Sequence, residues 1–180
     1  MSRRLLPHTI DPFKLVEQKT ILSGQLQLGD MPRLLTCVVN EGQDQVVNDQ
    51  NTVVVELEFH RDEEGLRVIT GRIKGQLSLV CQRCLDITLF QLDEPVALAL
   101  VKNDEAASQL PSRYDPLLVS EGPVSLITLV EDELLLALPS VAYHDEGECS
   151  VLPYQNDMID ETQAEVKKPN PFAVLTGLKK

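Results

Sequence analysis

From residue 52 to 101 apolar and polar positions alternate along the chain: VVVELEF, a polar stretch Arg61-Asp62-Glu63-Glu64-Gly65, LRVITGRIKGQLSLV, then ITLFQL and VALALV. Alternation of period two flanking a glycine-bearing polar turn predicts an antiparallel hairpin followed by further strands. Gly71 and Gly75 fall inside the second strand, which predicts a bulge or a strong curl. Upstream, Asp11-Pro12 reads as an N-cap and first-turn proline opening a short helix over FKLVEQK. TILSGQLQL then alternates as a strand does, and Asp30 with Pro32 predicts a second short helix through LLTCV.

Residues 102–123 are polar and interrupted by Pro111, Pro116 and Pro123, so they read as a loop with one short strand over LLVS. In SLITLVEDELLLALP the period changes to that of a helix. Leu126, Ile127, Val130, Leu134, Ala137 and Leu138 form one face, and Pro139 stops the helix. Leu129, Leu135 and Leu136 fall off that stripe, so the helix is expected to be buried on more than one side. Beyond Val151 the chain turns polar through QNDMIDETQAEVKK, a composition that cannot readily offset the entropy of ordering. Its end is different again, because Phe172, Val174, Leu175 and Leu178 share one apolar face of a short helix. The expected organisation is an α+β domain over 1–150 and a flexible tail over 151–180. The domain would be a curled, mainly antiparallel β-sheet, barrel-like if the curl closes, packed with a few helices. The tail would end in an amphipathic segment able to dock a partner.

Composition narrows this picture in two respects. The chain has 180 residues, 43% of them hydrophobic but only 4% aromatic and none tryptophan, so its core must be aliphatic. The net charge of −12 is unevenly spread. Residues 1–85 carry 10 basic and 11 acidic groups, 86–165 carry 2 and 17, and 166–180 carry 4 and none. Affinity for phosphate comes from Lys and Arg, so the middle segment should repel bare nucleic acid, and an acidic body suits a basic protein partner. No apolar run is long enough for a bilayer and the first residues lack an apolar signal core, which points to the cytosol. In that compartment four cysteines argue for metal, catalysis or burial ahead of disulfides.

Cys81-Gln82-Arg83-Cys84 lies between two predicted strands, where the two-residue gap can offer both sulfurs to one tetrahedral ion. His144 and Cys149 follow with second half-site spacing, completing a Cys₃His set for one structural Zn²⁺. Reduced thiols near a turn beside an exposed loop histidine are the plainer account. A redox pair would need a helix N-terminus at the first cysteine, and strands are expected there. Cys37 is left over as a core thiol.

Arg67, Arg72, Lys74 and Arg83 surround the long strand and are candidate RNA-binding residues. Arg72 and Lys74 share one face, although without interleaved aromatics they lack a stacking platform and suit a solvated face as well. Lys167, Lys168, Lys179 and Lys180 read first as a solubilising tail and second as an electrostatic tether. Glu131-Asp132-Glu133 point in different directions on a helix, so they read as a charged edge and not as an acid/base set. No phosphate-binding glycine loop, serine nucleophile motif or HExxH is present. No catalytic residue is assigned.

Taken together, Asp11-Pro12, Cys81-x-x-Cys84, EDELLLALP over 131–139, His144-Asp145 through Cys149 and the ending KPNPFAVLTGLKK resemble one family, YceD, across nearly the whole chain. The resemblance implies a non-enzymatic role in synthesis, processing or stability of 23S rRNA. The implied partner is 23S rRNA or its precursor, bound directly or through ribosomal proteins, with no membrane and no small-molecule substrate. The same features leave room for an adaptor that never touches RNA and recruits a processing enzyme or ribosomal protein. The resemblance carries no metal or catalytic residue with it.

Overall fold

The computed structural model describes residues 6–39, 52–119, 122–145 and 147–149. Among them the chain runs β1 (Thr9–Ile10), α1 (Pro12–Glu17), β2 (Ile21–Gln27), a 3₁₀ turn, α2 (Pro32–Leu35), β3 (Thr52–Arg61), β4 (Arg67–Val80), β5 (Ile87–Val101), α3 (Asp104–Ala107), β6 (Asp115–Leu118), β7 (Val124–Ser125) and α4 (Leu126–Ala137). Five strands form one sheet in the order β2-β3-β4-β5-β6, antiparallel except for β5 with β6, and β1 pairs with β7 separately. The α+β, mainly antiparallel expectation is met. Residues 151–180, with the predicted docking face Phe172, Val174, Leu175 and Leu178, lie outside the described residues.

The sheet has one dry face. Val53, Val55, Leu57 and Phe59 of β3, Ile69, Ile73 and Leu77 of β4, and Leu92, Val96 and Leu98 of β5 are buried against Val16 of α1, Leu34 of α2 and Leu126, Leu129, Val130 and Leu134 of α4. The other face carries exposed Val54, Glu56, Glu58, Arg72 and Lys74. Alternation along β3 is what sorts the two sets, since successive side chains point to opposite sides.

The sheet is open and no barrel forms, because β2 and β6 at its edges are not paired with each other. Helices, and not a returning strand, cover the dry face, and β6 is a four-residue strand reached by a crossover through α3. A parallel neighbour requires such a crossover of about a dozen residues. This strand begins at Asp115, before the predicted LLVS.

Of the two roles open to Gly71 and Gly75, the register excludes a bulge. Pairing is one-to-one from Val54 with Lys74 to Arg61 with Arg67, and from Val68 with Ala99 to Val80 with Ile87. Gly71 instead permits close approach, since a Cβ there would lie 2.0 Å from the Glu56 carbonyl oxygen. The predicted ITLFQL and VALALV strands are one strand, β5, running through Pro95. β6 joins β5 only from Leu98 onward, so on that edge Pro95 has no strand to which an N–H would donate.

Local signals at α1 hold, with Asp11 Oδ1 accepting from the Lys14 amide at 3.1 Å and Pro12 in the first turn. The hairpin turn is closed by Gly65 at φ +83° and by the Asp62 carboxylate, which accepts from the Glu64 and Leu66 amides. α4 ends at Ala137, two residues before Pro139, which disfavours helical geometry at Leu138. Of the three leucines off its predicted stripe, Leu129 is buried, Leu135 half-buried and Leu136 exposed.

The second short helix is capped differently from the sequence expectation. Met31, not Asp30, occupies its N-cap and offers no side-chain bond. Glu131 of α4 supplies the cap from a distance: its Oε1 accepts from the amides of Arg33 at 2.7 Å and Leu34 at 3.1 Å. Its Oε2 accepts from Arg33 Nε at 2.9 Å and Nη2 at 2.7 Å, while Nη1 reaches Asp132 at 2.6 Å. Burial pushes the Glu131 carboxyl up, but the Arg33 side chain and the two amides outweigh it and hold its pKa below the usual value. Glu131 is only 3% exposed, so the predicted charged edge is, at this residue, a buried brace between α2 and α4.

Candidate metal centre

β3 pairs with β4 only as far as Lys74, so residues 75–80 of β4 continue with β5 as a ribbon past β3, flanked by the chain after α2 where Val39 N donates to the Ser78 carbonyl at 2.7 Å. At its tip Cys81 N donates to the Asp86 carbonyl and Leu85 N to the Cys81 carbonyl, both at 2.9 Å. This tight turn brings Cys84 back beside Cys81 and forces Leu85 into the left-handed region, φ +64°. The chain after α4 passes the same tip, where Gln82 N donates to the Ala142 carbonyl at 2.9 Å and sets the approach of His144.

Cys81, Cys84, His144 and Cys149 therefore meet, and their ligand atoms all lie within 4.8 Å of one another. Cys81 Sγ and Cys149 Sγ are 3.8 Å apart, and Cys84 Sγ is 3.3 Å from His144 Nδ1. His144 Nε2 lies 3.0 Å from the Ile87 carbonyl oxygen. Since a carbonyl only accepts, Nε2 carries a hydrogen, and Nδ1 is the nitrogen turned to the sulfurs.

Burial pushes the Cys81 thiol up, but hydrogen bonds from the backbone of Cys84, His144 and Arg83 and from the His144 side chain bring it down to about 5. The Cys149 thiol moves the other way, to about 11, through burial and the neighbouring Cys84 and Cys81 sulfurs. His144 is raised, chiefly by its hydrogen bond with Cys81. A cluster of three sulfurs and one imidazole nitrogen, with one thiol already favoured as thiolate, can hold a metal ion. Cys37 stands apart and is exposed, contrary to its expected place in the core. It follows the end of α2, where its sulfur lies 3.7 Å from the Arg33 carbonyl oxygen.

The four RNA-binding candidates are not brought together. Arg67 lies over the Phe13 ring and pairs with Glu17, while Arg72 and Lys74 on the opposite face of β4 both meet Asp93, at 2.9 and 3.8 Å. Arg83 sits at the ribbon tip over the ring of Tyr143, 5.4 Å from its centroid. Val80, Leu85, Ile87 and Leu89 of the same ribbon and its turn, and Val141 and Tyr143 of the segment after α4, are exposed. Sequence reasoning passed over Tyr143, and only its place one residue before a proposed ligand could have flagged it. It also passed over the Glu131 brace, whose signal was a carboxylate lying between Ile127 and Leu134 on the apolar stripe.

The family model for the large ribosomal RNA subunit accumulation protein YceD matches residues 69–179, more than half of the chain. The chain belongs to the YceD family. It is also 35% identical over 180 residues to the large ribosomal RNA subunit accumulation protein YceD of Haemophilus influenzae, covering 99% of both chains. No solved structure matches. The YceD match begins in β4 and takes in the ribbon, the Cys₃His cluster and α4, leaving β1 to β3 outside it.

Proposed function

We propose that this chain supports accumulation of 23S rRNA in the cytoplasm as a non-catalytic binding factor, and that it does so by docking a basic ribosomal protein. The accumulation role follows the name of its full-length relative. The protein route is favoured by one observation: Arg67, Arg72 and Lys74 already face Glu17 and Asp93, so a phosphate would have to displace these carboxylates. A body over 1–150 presents the ribbon tip, and the tail over 151–180 offers Phe172, Val174, Leu175 and Leu178 as a second contact. Tyrosine and arginine beside exposed aliphatic groups are the residues that anchor protein interfaces.

A direct-RNA reading rests on Arg83 over Tyr143, a cation beside a ring on which a base can stack. Titrating the full chain with a precursor 23S rRNA fragment, and with purified large-subunit ribosomal proteins, separates the two. The expected result is saturable binding of a basic ribosomal protein that survives charge reversal at Arg72 and Lys74. RNA binding that falls steeply with salt and is lost on charge reversal at Arg83, or at Arg72 and Lys74, would overturn the protein route. No binding of either class would overturn the binding-factor reading itself.

A further inference from the structure

We propose that Cys81, Cys84, His144 and Cys149 bind one zinc ion in a closed, four-coordinate site, and that this ion is a local clasp fastening the chain after α4 onto the tip of the β4–β5 ribbon. The four ligand atoms meet whichever partner the protein binds.

Ligand chemistry selects the metal. Three thiolates and an imidazole suit zinc, whereas magnesium and calcium take oxygen donors. Zinc–sulfur bonds of about 2.3 Å in a tetrahedron place two sulfurs about 3.8 Å apart, and Cys81 and Cys149 are separated by 3.8 Å. The outermost pair of ligand atoms, no more than 4.8 Å apart, has at most about 1 Å to close. The histidine already has the arrangement of a ligand, with Nε2 held by the Ile87 carbonyl and Nδ1 turned to the sulfurs. Four protein donors leave no open position, so the ion holds structure and performs no chemistry.

The clasp is local because of what surrounds it. Among the described residues of 139–149 there is no helix or strand, and Val141 and Tyr143 are exposed. The Gln82–Ala142 backbone bond and the His144–Ile87 contact are the hydrogen bonds seen from these residues to the ribbon backbone. Little apolar burial anchors the segment, whereas the sheet core lies further back under α1, α2 and α4. The ion therefore does what packing cannot do at the tip: it joins Val80, Arg83 and Ile87 of the ribbon to Val141 and Tyr143 of the later segment in one surface.

The test uses untagged full-length protein purified without chelator. Metal analysis is expected to find about one zinc per chain, exchangeable for cobalt(II) with the absorption of tetrahedral thiolate coordination. Both signals should be lost in Cys84→Ser and His144→Ala. Chelation of the wild type should speed proteolytic cleavage within 139–149 at least tenfold while amide exchange in β3 and the first half of β4 stays unchanged. Metal-free wild type, undiminished zinc in the variants, or a mass deficit of two hydrogens marking a Cys81–Cys149 disulfide would overturn the site. Loss of protection throughout the sheet on chelation would overturn its local role.

Discussion

The two ends of β4 are held by different means. Near its start, Ile69 and Ile73 are buried beneath the helices, and each such side chain contributes about 1.5 to 3 kcal/mol through burial alone. At its end the ribbon has outrun its pairing with β3, and although Leu77 and Leu79 are buried on one side, the outward-facing Val80, Ile87 and Leu89 remain exposed. What the second end has instead is a set of ligands. Packing fixes position only where there is enough apolar surface to cover. Beyond that limit a few directional contacts must do the work, and they leave the surrounding surface open to a partner.

Substitutions can break this contrast from the core outward. The largest effect is expected for Gly71→Ala, where the new methyl would collide with the Glu56 carbonyl and the strands must separate. Chemical denaturation should show a loss of about 3 kcal/mol or more, with zinc still bound in whatever fraction folds.

Next comes Glu131→Ala, which removes the cap of α2 and leaves the Arg33 and Leu34 amides without their acceptor. A loss of about 3 kcal/mol is expected by the same measurement, against less than about 0.5 kcal/mol for Asp132→Ala, whose carboxylate is exposed. The folded pKa of Glu131 lies below its unfolded value of 4.5, so its contribution is complete above that value and disappears as pH falls through the folded one. Melting temperature followed from pH 6 down to 3 should therefore drop less in Glu131→Gln than in wild type.

Glu133 gives the opposite sign. Burial and the nearby carboxylates of Asp115, Glu94 and Asp132 raise its pKa, so its charge opposes folding at neutral pH. Glu133→Gln should raise the melting temperature at pH 7 by about 2 °C, with the gain shrinking as pH falls through the folded pKa and gone below the unfolded value of 4.5. The smallest effect belongs to the tip. Leu85→Gly relieves the left-handed backbone at an exposed side chain, and a gain of about 0.5 to 1 kcal/mol in stability is expected. If the tip is the docking surface, the same change weakens partner binding while the protein becomes more stable.

Much of this was legible in the sequence where a local rule governs. Asp11-Pro12 starts a helix, Gly65 closes a hairpin, Pro139 follows the end of α4, and cysteine and histidine spacing assembled the Cys₃His set. Where a residue's fate depends on something distant, local reading fell short. Asp30 looked like a cap, but the carboxylate that caps α2 arrives from α4. ITLFQL and VALALV read as two strands, yet they are one, running through Pro95 where β5 has β4 but not β6 beside it. Cys37 looked like core by residue type and is exposed, and the sequence, which offered Arg72 and Lys74 as phosphate contacts or as a solvated face, could not place Asp93 against both.

We propose that the body is scaffold and that the clasped tip is where the protein works. The direct test is the level of mature 23S rRNA in cells lacking the protein, restored with wild type, Cys84→Ser or Asp132→Ala at equal abundance. Wild type and Asp132→Ala are expected to restore the rRNA and Cys84→Ser is not, although its sheet remains folded. Full restoration by Cys84→Ser would contradict the proposal.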